Sequence, residues 1–237
     1  MKRGFFLALL CMLAATVRAG DLPPFEGLIE PRETVNFGSQ VPGILEKVMV
    51  ERGDKVEVGQ ILARLKSGVE AAALRTAEAK VDFGQRKSQR NEELTRKKLI
   101  SVHEKDEIET ELQLARLMVV EAKAQLEMRV IRSTIKGVVV RRTGAPGGYV
   151  GEEPFLTVAQ IDPLSVELVI PVQYIGSIKE GATATVLPEE PVGGEYSAKV
   201  VIVDKVVDAA SGTFGVRLEL PNPKLRLPAG MKCRVVF

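Results

Sequence analysis

Apolar and polar positions change rhythm twice along this chain. From Gly27 to Leu65 the apolar residues come in short runs, such as Val48 to Val50 and Ile61 to Leu65, between Pro-Gly and Gly-Asp turns. That is a strand-and-turn texture. Gly43, Gly53 and Gly59 fall where a small sandwich needs tight turns or positive φ. From Glu70 to Arg132 there is one glycine and no proline, and Ala, Glu, Lys, Arg, Gln and Leu, the strongest helix formers, dominate. From Pro163 onward short runs return: Val166 to Ile170, Ala184 to Leu187, Ala198 to Val203, Gly215 to Leu220 and Cys233 to Val236. Five or six strands in this stretch, with one short helix over Tyr174 to Lys179 closed by Gly181, predict a small closed barrel. Closing the sheet leaves no free edge.

The helical stretch is too long for one globular helix, so a break is expected inside it. Ser101-Val102-His103-Glu104 reads as a capping box, with the Ser101 hydroxyl accepting from the Glu104 amide and the Glu104 carboxylate reaching back. Glu104, Asp106, Glu107 and Glu109 then crowd the first turns of one helix, and Arg96, Lys97 and Lys98 the last turn of the other, as the helix dipoles favour. The break falls at Leu99 to Ser101, giving two antiparallel arms of roughly 30 residues, each about 45 Å long. In the second arm Ile108, Leu112, Ala115, Val119, Ala122 and Leu126 form a coiled-coil seam. In the first arm Ala73, Ala77 and Leu94 fit the seam but share it with Lys80, Gly84, Lys87 and Asn91. Packing between the arms is expected to be thin, and lateral neighbours to support it.

The stretches flanking this hairpin look like halves of one β-domain. The first is Val41 to Leu45 with Arg52 to Leu62, and the second is Ile135 to Val140 with Gly147 to Gly151. A domain split this way requires the insert to leave and return at one point, which an antiparallel helix pair does. The expected architecture is mainly β with an α-helical coiled-coil hairpin, an elongated rod on a compact base. Its parts are residues 20–67 plus 132–162 for the split domain, 68–131 for the hairpin and 163–237 for the barrel.

At 45% apolar and 27% charged residues the chain has the composition of a soluble, folded protein. A net charge of +2 leaves no electrostatic footprint for nucleic acid, and there is no tryptophan for a stacking platform. Lys2 and Arg3, the apolar stretch Phe5 to Ala15 and the small-residue site Val17-Arg18-Ala19 predict a cleaved secretory signal over residues 1–19. Its removal takes Cys11 and leaves Cys233 without a disulfide partner, so packing and strand pairing must hold the exported chain together. His103 is the only histidine and stands beside the expected hairpin tip, far along the chain from Cys233. Met49, Met118, Met128 and Met231 are scattered as core fillers. No catalytic, metal or cofactor site is expected.

Together these features resemble the HlyD-like membrane fusion proteins, the periplasmic adaptors of Gram-negative tripartite efflux pumps. The split halves look like that family's lipoyl-type barrel-sandwich hybrid domain, and the C-terminal part is similar to its β-barrel. Thr213, Val216 and Arg217 match its Thr-x-x-Val-Arg strand, and Leu227-Pro228-Ala229-Gly230-Met231 its Leu-x-Pro-Gly-Met turn with one residue altered. Adaptors that dock on TolC-like channels carry an Arg, a Leu four residues on and a Ser seven beyond, a spacing that Arg90, Leu94 and Ser101 reproduce. The resemblance implies a periplasmic adaptor, attached by protein contacts alone. It would join an inner-membrane transporter of the resistance-nodulation-division (RND) class to a TolC-like outer-membrane channel, with copies packed in a hexameric ring. In longer adaptors a membrane-proximal domain follows the barrel; here the barrel is expected to close at Phe237.

Two neighbouring readings share parts of this pattern. A lipoyl or biotinyl carrier also has Gly53-Asp54-x-Val56-x-x-Gly59, but Val69 stands where its modified lysine belongs and Lys66 is out of register. An adaptor of an ABC-type exporter or type I secretion system shares the architecture, usually with a transmembrane helix and longer arms.

Overall fold

The structure, a computed structural model, describes residues 22–97 and 101–237. The expected signal segment and residues 98–100 of the hairpin turn lie outside the described residues. The chain divides into two compact units, one of residues 33–160 and one formed by the segment up to Arg32 with Ile161–Phe237.

The unit of residues 33–160 contains the split β-module. Its strands are the second part of β1 (Phe25–Phe37), β2 (Gly43–Val48), β3 (Lys55–Val56), β4 (Ile61–Leu65), β5 (Val130–Arg132), β6 (Gly137–Arg142), β7 (Tyr149–Val150) and the first part of β8 (Leu156–Pro171). One sheet runs β5-β4-β2-β7, and β3 pairs with β6, which pairs with β8. The two sequence halves interlock reciprocally. The Gly53 amide donates to the Val139 carbonyl (2.8 Å) and the Val139 amide to that of Asp54 (2.9 Å). In mirror fashion the Gly147 amide donates to the Leu45 carbonyl (2.8 Å) and the Leu45 amide to that of Gly148 (2.8 Å). Each half thus offers a turn to the central strand of the other. Gly53 (φ 95°) and Gly147 (φ 87°) occupy the left-handed region these turns require. Leu45, Val56, Leu62, Leu65, Val139, Leu156 and Val158 fill a common core drawn from both halves.

Helices α1 (Gly68–Arg96) and α2 (Val102–Glu127) form the hairpin between β4 and β5. Their 29 and 26 residues correspond to about 44 and 39 Å at 1.5 Å per residue. Ser101 caps α2 in extended conformation, its hydroxyl accepting from the Glu104 amide at 3.1 Å. The seam of α2 is as expected: Ile108, Leu112, Ala115 and Ala122 are buried, and Val119 and Leu126 half-buried. The seam of α1 differs from the expectation. Ala73 and Lys80 are exposed, and Leu74, Ala77, Val81, Gly84, Ser88 and Asn91 turn inward. This alternation of four and three continues upward from Leu74 and Val81, which the sequence reading left unused. Gly84 lets the arms approach, since a Cβ there would stand 3.2 Å from Leu112 Cδ1.

The second unit is a closed six-stranded barrel of β1, β12 (Met231–Val236), β9 (Thr183–Pro188), β10 (Tyr196–Val203), β11 (Thr213–Leu220) and β8, in that order, with β1 pairing back to β8. Its first strand comes from the N-terminal segment: Phe25–Ile29 pairs antiparallel with Met231–Val235. Those residues therefore lie with the barrel, whereas the reading from sequence put 20–67 in the split domain. The cause is side-chain alternation. Phe25 and Ile29 point into the barrel core with Leu168, Val186, Val216 and Leu218, and the Phe25 ring meets Tyr174 edge-on at 5.3 Å. The helix expected over Tyr174 to Lys179 is instead a single 3₁₀ turn at Val172–Tyr174. Ile175 is extended and Gly176 left-handed (φ 82°), so the chain leaves helical geometry before an α-turn can form.

Candidate functional site

At the far end of the hairpin Arg90 is exposed and Leu94 half-buried, one turn apart on a single face of α1. Lys87, one turn below, spans the arms to Glu111 at 2.7 Å, so the same face carries a cross-arm ion pair. Ser101 is exposed at the start of the other arm, its side chain engaged in the cap. Residues 98–100 between Arg90–Leu94 and Ser101 lie outside the described part. Just below the turn a cavity of about 300 Å³ opens between the arms, lined by Ser88, Asn91, Glu92, Arg96, Lys105, Ile108 and Glu109. It exists because Ser88 and Asn91 occupy seam positions that a large apolar side chain would fill.

The opposite end of the hairpin is clamped. Arg129 donates from Nη2 and Nε to Glu70 Oε1 (2.6 and 3.0 Å) and from Nη1 to the Pro42 carbonyl (3.0 Å). One guanidinium thus ties the start of α1, the exit from α2 and the loop before β2. Both partners are largely buried, with side chains 21% and 16% exposed, so this pair is screened less than the ion pairs on the surface. Glu70's own backbone amide, and then Arg129, hold its carboxyl below the ordinary value, against the opposing effect of burial. Gly43 leaves the space: a Cβ there would lie 2.8 Å from Arg129 Nη1. Sequence reasoning missed this clamp. The available clue was that Glu70 and Arg129 are equidistant from the hairpin turn, as Lys87 and Glu111 are.

The barrel motifs have structural tasks. Thr213 opens β11, Val216 points into the core, and Arg217 lies outward in an ion pair with Glu167 across the β11–β8 register. In the Leu227–Met231 turn Leu227 is buried, Gly230 is left-handed (φ 90°), and its amide donates to the Ile29 carbonyl at 2.7 Å. The buried Asn222 side chain holds that turn, accepting from the Leu227 amide (3.1 Å) and donating to the Leu227 and Ile161 carbonyls (2.9 and 3.0 Å). Where a carrier domain would present its lysine, this chain has already entered α1, with Val69 in the first turn. His103 is exposed in α2, and Cys233 is buried in the barrel with its thiol pushed up to about 11, by burial first and then by Glu189. Among the described residues no helix is long and apolar enough to cross a membrane.

Residues 33–160 match the family described as CzcB-like, barrel-sandwich hybrid domain, and residues 165–237 that described as CusB-like, beta-barrel domain. The chain belongs to the membrane fusion protein family. The solvent efflux pump periplasmic linker SrpA of Pseudomonas putida is 26% identical over 211 residues, covering 81% of this chain and 54% of that protein. The multidrug resistance protein MdtE of Escherichia coli is 30% identical over 244 residues, covering 89% of this chain and 62% of that protein. This membrane fusion protein thus spans a little over half the length of those relatives. A crystal structure of a MacA-MexA chimeric protein containing the Pseudomonas aeruginosa MexA α-hairpin domain superposes with a TM-score of 0.78 at 24% identity, covering 90% of this chain and 80% of that one. That likeness concerns the fold.

Proposed function

We propose that this membrane fusion protein is the periplasmic adaptor of a tripartite efflux assembly. It joins an inner-membrane transporter of the RND class to a TolC-like outer-membrane channel, and it performs no covalent step. The observation that carries this reading is the hairpin itself. It is fixed at its root by Arg129, Glu70 and Pro42, and it presents Arg90 and Leu94 on one face near its free end. Leu94 supplies apolar contact, and the Arg90 guanidinium is a planar fork of donors suited to exposed carbonyls at a partner's helical turns. Ser101 stays at the turn as cap and contact. The names of SrpA and MdtE, a periplasmic linker of a solvent efflux pump and a multidrug resistance protein, support the same reading. The protein reaches the periplasm through a signal peptide cleaved after residue 19. Several copies stand in a hexameric ring, so that weak contacts at each tip add through avidity.

The test is export. Arg90→Asp and Leu94→Asp alter side chains that contribute little to the packed core, so the variants accumulate in the periplasm with unchanged melting temperature and lose drug or solvent resistance. Normal resistance in both variants overturns the docking assignment.

A further inference from the structure

The hairpin meets the β-module at a narrow seat. The chain leaves through β4 and returns through β5, neighbouring strands of the β5-β4-β2-β7 sheet. Those two crossings lie one strand spacing apart, about 4.8 Å. The lever above them is long: from Glu70 to Leu94 is about 36 Å along α1. Play of about 0.5 Å at one crossing, the ordinary displacement of a well-ordered atom, therefore moves Leu94 by roughly 4 Å. That is the full range of an apolar contact. A tip on so slender a base is not aimed.

Arg129 widens the base. Its Nε and Nη2 hold Glu70 in the first turn of α1, and its Nη1 reaches the Pro42 carbonyl on the loop entering β2, the strand on the far side of β4 from β5. The seat then spans three strands instead of two, and the same play moves Leu94 by only about 2 Å. Gly43 keeps the path to Pro42 open, because any Cβ there would press on Nη1. Neither Glu70 nor Arg129 belongs to the apolar core of the module, so the contact adds nothing to that core's packing.

We propose that Arg129 is a positioning residue for docking: acting through Glu70 and Pro42, it aims the hairpin so that Arg90 and Leu94 arrive at a fixed place. This rests on the docking reading above and adds a residue at the opposite end of the hairpin to it. Only a planar fork divides its donors between two partners in this way; an ammonium is a single point.

Spin labels on the purified full chain test the aim. Val58→Cys on the module and Glu93→Cys near the tip replace exposed residues, while Cys233 is buried with its thiol pushed up to about 11 and so escapes labelling. Double electron–electron resonance, on samples diluted with unlabelled protein, then reads the distance distribution within one copy. Two variants loosen the seat and leave the tip alone. Arg129→Lys keeps a charge opposite Glu70 and gives up Pro42. Gly43→Ala leaves Arg129 and Glu70 in place and sets a methyl 2.8 Å from Nη1, pushing the guanidinium off Pro42. Each is expected to widen the distribution about twofold, as the narrower base implies. Each should also lower efflux several-fold in cells that carry the native partners, with a near-native melting temperature. A distribution as narrow as the native protein's in both variants overturns the inference. A widened distribution with full efflux overturns it too, and Arg90→Asp in the same cells then separates two cases. Efflux abolished by Arg90→Asp means that docking stands and the aiming role alone falls, while efflux unchanged by it means that the docking reading has failed as well.

Discussion

Leu45, Leu62 and Leu65 of the split β-module are sealed from solvent, whereas the hairpin rooted in the same unit has Ser88 and Asn91 at seam positions and Phe83, Leu114 and Leu117 facing water. The module turns most of its large apolar residues inward, with Ile44, Met49, Val58, Val140 and Tyr149 as exposed exceptions, and the hairpin turns many of its own outward. Its buried side chains on α2, Ile108, Leu112, Ala115 and Ala122, form a line one residue wide, and among the described residues α1 adds Ala77 alone. The difference teaches where each region places its apolar surface. A core assembled from two chain segments is complete within one copy, whereas the hairpin leaves apolar side chains on its flanks.

The contrast can be broken most decisively in the cores. Leu62→Ala is expected to destabilise the module by ~2–5 kcal/mol in urea unfolding, the range for a fully buried leucine. Leu112→Ala, in the thinner seam, should cost roughly half as much, and hydrogen exchange should place its damage in α1 and α2 alone. Equal losses spread through the unit would mean that hairpin and module share one cooperative core. The clamp comes next. Arg129→Ala is expected to cost about 1.5–3 kcal/mol, as for hydrogen bonds to a charged partner, and to open the hairpin root in hydrogen exchange. Protection of Gly68–Ala72 unchanged from the native protein would show that the root holds without it.

The same clamp sharpens the comparison through pH. Because the Glu70 carboxyl is held below its ordinary value in the folded state, the unfolded chain binds more protons across that interval. Its contribution is therefore complete above the ordinary carboxylate range and drains away as pH falls through and below it. Glu70→Gln should remove that part of the acid sensitivity, and an unchanged acid limb in melting experiments would contradict it. Smallest is the cap: Ser101→Ala should cost about 0.5–1 kcal/mol, read as faster exchange in the first turn of α2 only.

The three textures along the chain were legible because each element's spacing is local. The split halves, the capped break at Ser101 and the strands after Pro163 all follow from turn chemistry and periodicity. What escaped depended on partners distant in sequence. Nothing in Phe25 to Ile29 announces that its edge will pair with Met231–Val235, since any alternating strand beside the split domain looks like part of it. The seam of α1 differs from the expectation at Ala73 and Lys80 because that arm is rich in alanine and charge, so several stripes fit the composition and only packing against α2, as of Gly84 on Leu112, chooses between them. The helix expected over Tyr174 to Lys179 gives way to a turn at Val172–Tyr174 because Gly176, inside that stretch, takes a left-handed φ. Of the candidate tip residues, Ser101 is legible through its cap, while Arg90 and Leu94 are visible only as a spacing on one face.

The hydrogen bond from the Leu65 amide to the Arg129 carbonyl, 2.8 Å long, makes the hairpin's entry and exit neighbours on paired strands. From the module's side, the insert is a graft with a single seat. Its length is free to drift by whole heptads, provided both arms gain or lose them together, because no residue of the β-core senses how far away the turn lies. The chimeric structure that carries another protein's α-hairpin is a transplant of this kind. Reach is thus the most easily tuned property of this architecture, adjustable without redesigning the foundation.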